Sequence, residues 1–273
     1  MLLSGIFGIA IGIILGLTGA GGGILAVPAL VIGLGWSMTE SAPAALFAVS
    51  AAAAVGAVDG LRKGLVRYRA ALLMALLGAA FSRLGVHFAH LLPDTVLTSM
   101  FSMVMVIVAI RMIRQASGIS AKATDNQQCW QEKNCMINPQ TGRLRWTPKC
   151  SASLAVVGSL SGLLTGMLGV GGGFLIVPAF QQLSDIRMHG IVATSLMTIA
   201  LISAIAVTGA IHAGAHITVT GGVFIAASMS GMLLGRLLSP RIPAKSIQLG
   251  FSAVCLVVAG YLMLKTWIWK TWD

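Results

Sequence analysis

Charge is scarce in this chain and acid scarcest of all: 9% of the 273 residues are charged, and only seven of them are Asp or Glu. A soluble globular domain carries about 25% charged residues, so that class is excluded. Seven scattered acids also leave no way to assemble a Ser-His-Asp, His-Glu-x-x-His or paired-carboxylate constellation, which argues against an enzyme. Close cysteine pairs are missing as well. Cys129, Cys135 and Cys150 follow a C-x5-C-x14-C spacing, unlike the C-x2–4-C pairs of a zinc site, and Cys255 sits alone in an apolar stretch. No metal and no cofactor is expected.

Apolar residues fill the space that charge leaves, at 57% of the chain, and they come in long runs. Residues 1–58 contain one charge, Glu40, and residues 151–235 contain two, Asp185 and Arg187. Runs of this length read as membrane spans. The net charge of +11 would raise nucleic acid as a partner for a soluble chain. Here Lys and Arg gather in loops, the pattern of the cytoplasmic side of a membrane protein, so the expected partner is lipid and not nucleic acid. The 33 glycines have no Gly-X-Y period, which excludes collagen, and suit close packing of membrane helices. The opening Met1-Leu2-Leu3-Ser4-Gly5-Ile6 lacks a basic n-region and reads as a retained first helix.

The chain also repeats itself. Residues 16–30 (GLTGAGGGILAVPAL) and 166–180 (GMLGVGGGFLIVPAF) share nine identities at an offset of 150. Pro93, Phe101 and Ser102 match Pro243, Phe251 and Ser252 at the same offset, and Gly78, Arg83 and Leu84 match Gly231, Arg236 and Leu237 at 153. The expected organisation is a first transmembrane repeat over 1–115, a polar cytoplasmic linker over 116–150 and a second transmembrane repeat over 151–273. Each repeat holds five apolar stretches: about 2–18, 24–35, 42–58, 70–92 and 94–115, then 151–168, 173–183, 190–212, 217–238 and 244–264. At 1.5 Å per residue the second stretch of each repeat crosses only about half of a 30 Å hydrocarbon core, so it is a candidate half-helix.

Orientation follows from the basic loops. If all five stretches cross, the repeats are inverted, and loops 59–69, 111–150, 184–189 and 236–245 share a side holding 15 of the 18 Lys and Arg. If four cross, the repeats are parallel and the inside holds 13. Inversion is favoured, because loop 59–69 carries Arg62, Lys63, Arg67 and Arg69 while its counterpart at 212–219 carries no Lys or Arg. The fold class expected is an all-α polytopic membrane protein of two sequence-related, inverted repeats.

Both repeats break a helix at a glycine cluster, Gly19 with Gly21, Gly22 and Gly23, or Gly169 with Gly171, Gly172 and Gly173. An apolar segment then resumes with Pro28 or Pro178 inside it. Such a break exposes backbone N–H groups and aims the positive end of the resuming half-helix at the gap, where an anion fits. In hydrocarbon it persists only when buried in protein or lining a cavity, which points to a central site between the repeats. The alternative is that the glycines only permit close packing and the prolines only kink. A phosphate-binding P-loop is not supported, because no Gly-Lys-Ser/Thr follows either cluster.

The doubled G-x2-G-x-GGG-x3-VP pattern, Gly16 to Pro28 and Gly166 to Pro178, resembles the TauE/SafE-type sulfite exporter family of transmembrane transporters of sulfur compounds. The second copy extends the resemblance through Ala193-Thr194-Ser195-Leu196, where the first departs with Ala44-Ala45-Leu46. The resemblance covers the chain apart from residues 116–150, and a linker containing Cys and Trp is a departure from the short connection expected. It implies a secondary transporter of the bacterial inner membrane whose partner is a small sulfur-containing anion such as sulfite, sulfoacetate or thiosulfate, and it marks Thr194 and Ser195. An anion channel with the glycine breaks as its filter is the rival reading.

Intramembrane polar groups complete the candidates. Arg83, inside a stretch, and its repeat mate Arg236, nearer a helix end, are candidate partners for an anion. Thr18, Ser50, Thr198, Ser203 and Thr208 offer hydroxyls to an oxyanion, although such groups more often bond their own helix. Proton coupling needs a titrating group, and Glu40, Asp59, Asp94 and Asp185 all lie at ends. His87, His90, His212 and His216 are the alternative carriers, against a plain interfacial role. A weak acid can also carry its own proton. The linker thiols are assigned by charge to a reducing compartment, and Trp130, Trp146, Trp267 and Trp269 read as interface anchors.

Overall fold

The computed structural model describes residues 2–19, 22–117, 135, 146–184, 188–212, 218–238 and 244–270. These residues form ten helices: α1 (Leu2–Thr18), α2 (Gly22–Gly33), α3 (Met38–Arg62), α4 (Tyr68–Leu91), α5 (Asp94–Ala116), α6 (Pro148–Leu168), α7 (Gly173–Leu183), α8 (Met188–His212), α9 (Val219–Leu238) and α10 (Ala244–Lys270). The all-α polytopic expectation holds, since seven of these helices (α3 to α6 and α8 to α10) are long and apolar enough to cross a membrane. The protein is a multi-pass membrane protein.

Local chemistry explains several ends. Ser37 and Glu40 form a reciprocal capping box at the start of α3, so Glu40 is used as a cap. Thr147 caps α6 by accepting from the Cys150 N–H, with Pro148 in the first turn, where its missing N–H costs nothing. The two short helices have 12 and 11 residues, or about 18 Å and 16 Å of rise, half-helices as expected.

Neither half-helix continues across. A Cβ built on Gly22 would lie 2.6 Å from the Leu15 Cα, and one on Gly33 would meet the Phe7 ring, so α2 runs back along α1. In the same way Gly172, at the head of α7, abuts Ser161 and Thr165 of α6. The first two stretches of each repeat therefore make a hairpin. The physical reason is the glycine cluster itself, which turns the chain instead of bending it.

The remaining helices pack through glycine stripes. Gly8, Gly12 and Gly16 of α1 lie against Ser228, Met232 and Gly235 of α9, while Gly158, Gly162 and Gly166 of α6 lie against Met74, Gly78 and Ser82 of α4. Small residues four apart present one smooth face, which lets backbones touch and gain dispersion contacts that lipid cannot offer. Each pair runs parallel. The sequence carries this signal in its Gly-x3-Gly-x3-Gly spacing.

Exchanging the first five helices for the second five maps the packed pairs onto themselves: α1 on α9 with α6 on α4, α3 on α8, α5 on α10, and α3 on α9 with α8 on α4. Ser50 Oγ faces the carbonyl oxygen of Ala200, its counterpart 150 residues on, where α3 and α8 cross. Helix α9 is parallel to α3, because Ser228 reaches Ala48 and Arg236 reaches Gly56. Helix α8 is antiparallel to α3, because Ser50 meets Ala200 and Gly60 meets Ala193. Helix α4 is parallel to α8, through Arg67 with Thr194 and Gly78 with Ile202. Helices α1 and α6 therefore run in opposite directions.

Candidate functional site

Both glycine breaks are buried and they meet. Gly19 (φ +73°) ends α1 and abuts Val192 of α8; Gly169 (φ +72°) ends α6 and abuts Ala42 of α3, the residue 150 before Val192. Gly171 and Gly172 also have positive φ, a conformation that side chains other than glycine's make costly. Gly23, in the first turn of α2, is pressed against the Val170 carbonyl oxygen of the other break, leaving no room for a Cβ. Gly172 O accepts from Ser161 Oγ at 3.0 Å, and Gly173 is buried at the head of α7. Two half-helix N-termini therefore lie near one another with their positive ends inward. Gly21 lies outside the described residues.

The hydroxyls divide into spent and available groups. Thr194 Oγ1 donates to Gly190 O at 2.7 Å and accepts from the Arg67 N–H at 3.1 Å, so it caps α4, whose own N-cap residue makes no side-chain cap bond. Ser195 Oγ donates to Val192 O at 2.9 Å and approaches Gly19 O at 3.4 Å, which puts it beside the first break. Thr18, Thr198 and Thr208 donate to carbonyl oxygens of their own helices. Ser203 Oγ is buried without a hydrogen-bond partner among the described residues, next to Gly171 of the second break.

A cavity of about 1030 Å³ lies beside the breaks. Gly16 to Thr18, leading into the first break, and Phe174 and Leu175, leaving the second, form part of its wall. Lys63, Arg111, Arg114, Arg236 and His189 also line it, with Gln181, Gln182 and Gln248, and among the described lining residues none is Asp or Glu. These groups come from or flank the four basic loops, so one end of the molecule gathers segments that lie far apart in the chain. A low-dielectric concavity lined by one sign of charge concentrates ions of the other sign.

Arg236 is the inner cation. Its side chain is 17% exposed, donates to the Gly56 carbonyl oxygen and lies 3.1 Å from Asp59 Oδ2. Lys63 Nζ reaches the same oxygen at 2.9 Å. Arg83 is not brought here: it is exposed on the outer face of α4 with Phe81, Leu84 and Phe88. Of the two candidate arginines Arg236 lines the cavity and Arg83 does not, because a shift of one or two positions decides which face of a helix a residue occupies, and a single sequence does not reveal the buried face of a helix apolar all round. His87 is exposed on α4 near Phe88. His216 and the side chains of His90 and His212 lie outside the described residues, as do Cys129, Asp185, Trp130 and the side chains of Trp267 and Trp269.

Cys135 and Cys150 are paired as a disulfide, a pairing the sequence reading of the linker thiols did not include. The Cys135 N–H donates to Leu183 O at 3.0 Å, which ties this point of the linker to the end of α7. A spacing of 15 residues does not reveal that the two Cα atoms stand 5.0 Å apart. Cys255 is buried and free, as its apolar surroundings suggested.

The chain is similar to two proteins described as "Probable membrane transporter protein". One, from Xylella fastidiosa strain 9a5c, is 30% identical over 268 residues, covering 96% of this chain and 92% of the relative. The other, from Xylella fastidiosa strain Temecula1 / ATCC 700964, is 29% identical over the same length and shares. No solved structure matches the chain. The sequence profile described as "Sulfite exporter TauE/SafE" matches residues 4–262, which takes in both breaks and every wall of the cavity. The chain belongs to the TauE/SafE sulfite exporter family.

Proposed function

We propose that this protein is a secondary carrier that moves a small sulfur-containing anion, of the sulfite, sulfoacetate or thiosulfate kind, across the bacterial inner membrane by alternating access. The observation that carries the reading is the convergence of the two glycine breaks beside a cavity whose charged wall is cationic. Anions gather at the basic end, held there by Lys63, Arg111, Arg114 and Arg236. The half-helix N-termini of α2 and α7 then offer N–H groups and dipole ends to the desolvated oxyanion, the role such helices play at midplane sites of transporters. Ser195 and Ser203 add hydroxyls beside the two breaks.

Opposed helix directions in the two halves, with matched packing, support inverted repeats that exchange roles between an inward-open and an outward-open state. The cavity reads as the inward vestibule, since the positive-inside rule places the basic loops in the cytoplasm. Protons are candidate coupling ions, carried by the substrate as a weak acid or by a histidine.

Uptake of labelled sulfite and thiosulfate into proteoliposomes, with and without a pH gradient, tests the proposal. Saturable, cross-competed uptake is expected, and acceleration by the gradient would mark proton linkage. Unitary single-channel currents would replace the carrier by a channel, and no uptake by folded protein would remove the sulfur anion as substrate.

A further inference from the structure

We propose that Ser203 Oγ is a direct hydrogen-bond donor to the transported anion, and that it makes the head of α7, rather than the equivalent head of α2, the anchor for the anion's oxygens. The inference rests on the carrier reading above and adds which half-helix grips the anion and through which hydroxyl. Ser203 lies on α8, is 0% exposed and makes no hydrogen bond among the described residues. A hydroxyl on a membrane helix ordinarily donates to a carbonyl oxygen three or four residues back. Thr194, Ser195, Thr198 and Thr208 of the same helix all do so. Ser203 instead aims its oxygen at the head of α7, 3.4 Å from where a Cβ on Gly171 would stand. Gly171 and Gly172 both have positive φ there, and the first N–H groups of α7, at Gly173 and Phe174, find no carbonyl partner within the helix. Consecutive N–H groups turned by such a backbone form an anion-binding concavity at the positive end of the helix dipole.

The two half-helix heads are alike in backbone and unlike in side chains. At the offset of 150 the mate of Ser203 is Ala53, and the mates of Ser161 and Thr165 are Ile11 and Leu15; all six are buried. Leu15 abuts Gly22 at the head of α2 as Thr165 abuts Gly172 at the head of α7. Ser161 and Thr165 donate to Gly172 O and Ser161 O, so they shape the turn and leave Ser203 as the hydroxyl with an unused hydrogen. The cavity reaches this turn from the basic end, since Phe174 and Leu175 form part of its wall. Ser203 lies behind that wall, so the anchor is closed in this structure and opens to the cavity as α7 moves. A hydrogen bond to an ionised acceptor is stronger than one to a neutral acceptor, and it gains further where water is excluded.

Ser203→Ala is read in two ways: by the KM for uptake of labelled sulfite and thiosulfate into proteoliposomes, and by the concentration of each anion that raises the thermal unfolding midpoint of the purified protein. Loss of one hydrogen bond to a charged group is expected to raise both concentrations about tenfold or more. Ser203→Cys, which keeps a weaker donor of similar size, falls between the two. Without anion, Ser203→Ala leaves the midpoint unchanged or raises it, because it removes a buried hydroxyl that has no partner. Ser82→Ala is the control: it removes another such hydroxyl, on α4, and leaves both concentrations unchanged. If Ser203 is only packed or hydrated, Ser203→Ala leaves both concentrations unchanged, and the proposal is overturned. A lowered anion-free midpoint with unchanged anion dependence, or an equal loss in Ser82→Ala, overturns it too. Weakened stabilisation in Ser203→Ala, with no uptake even by the unaltered protein, counts against the carrier reading alone. Uptake with an unchanged KM counts against Ser203 alone, and so does a failure of both anions to stabilise the unaltered protein that nonetheless transports them.

Discussion

Replacing Gly172 by alanine tests whether the break is a site or merely a bend. Gly172 has φ +60° and ψ −4°, and holding an L residue there costs about 1–2 kcal/mol. The added Cβ would stand 2.6 Å from Thr165 Oγ1 and 2.7 Å from the Ser161 carbonyl oxygen, overpacking worth about 1–3 kcal/mol. The two effects together, about 2–5 kcal/mol, fall on the turn between α6 and α7. Every 1.4 kcal/mol that destabilises the transport-competent break relative to a displaced one lowers flux about tenfold. Uptake should therefore fall at least tenfold, with a further fall for valine, while detergent-solubilised protein still elutes as a folded species. Gly209 supplies the control: it is a helical glycine with nothing within 4 Å of a Cβ, and alanine there should gain up to about 1 kcal/mol of helix propensity and leave uptake unchanged. Wild-type uptake and unfolding temperature in both Gly172→Ala and Gly172→Val would refute the reasoning.

Other consequences are equally direct. Arg236→Gln should abolish uptake while Arg83→Gln leaves it within twofold; the reverse would return the site to the outer face of α4. Gly162→Leu drives a side chain into the Gly78 backbone and should cost about 1–3 kcal/mol, seen as a lowered unfolding midpoint, with a neutral outcome removing the stripe as a packing device. Single cysteines at Arg62 and Lys245, in a background without native cysteine, should be labelled by an impermeant thiol reagent from the same side of the membrane. Labelling from opposite sides defeats the inverted arrangement. Cys135 and Cys150, lying by the basic end, should be found reduced in growing cells and oxidised after purification in air; a disulfide present in cells quenched with acid would place the linker outside the cytoplasm.

Much of the fold was legible because hydrocarbon simplifies the problem. Apolar length and glycine placement alone locate the ten helices to within a few residues, since backbone groups in lipid must be satisfied within helices. The caps at Ser37 and Thr147 fix two of the helix starts. Less of the site was legible. The glycine clusters stood out because they occur twice, and Arg236 as the repeat mate of Arg83, but His189 and the pairing of Asp59 with Arg236 did not, since each looks like an ordinary residue near a loop. Thr194 illustrates the converse. A family resemblance marked it, and the structure spends its hydroxyl on capping α4.

The sequence by itself determined the class of the molecule, the number and kind of its helices and the two places where they break, because those depend on apolar length, on glycine and on the absence of charge. Tertiary structure decided what those pieces face. The α1 and α2 stretches, read one by one, are a candidate span and a candidate half-helix; they become a hairpin only because Gly22 fits against Leu15. Asp59 and Arg236, 177 positions apart, become partners only because parallel packing of α3 and α9 brings two helix ends together. Side-chain direction around a uniformly apolar helix leaves no trace in composition, so the charge lining the cavity is a property of the packing.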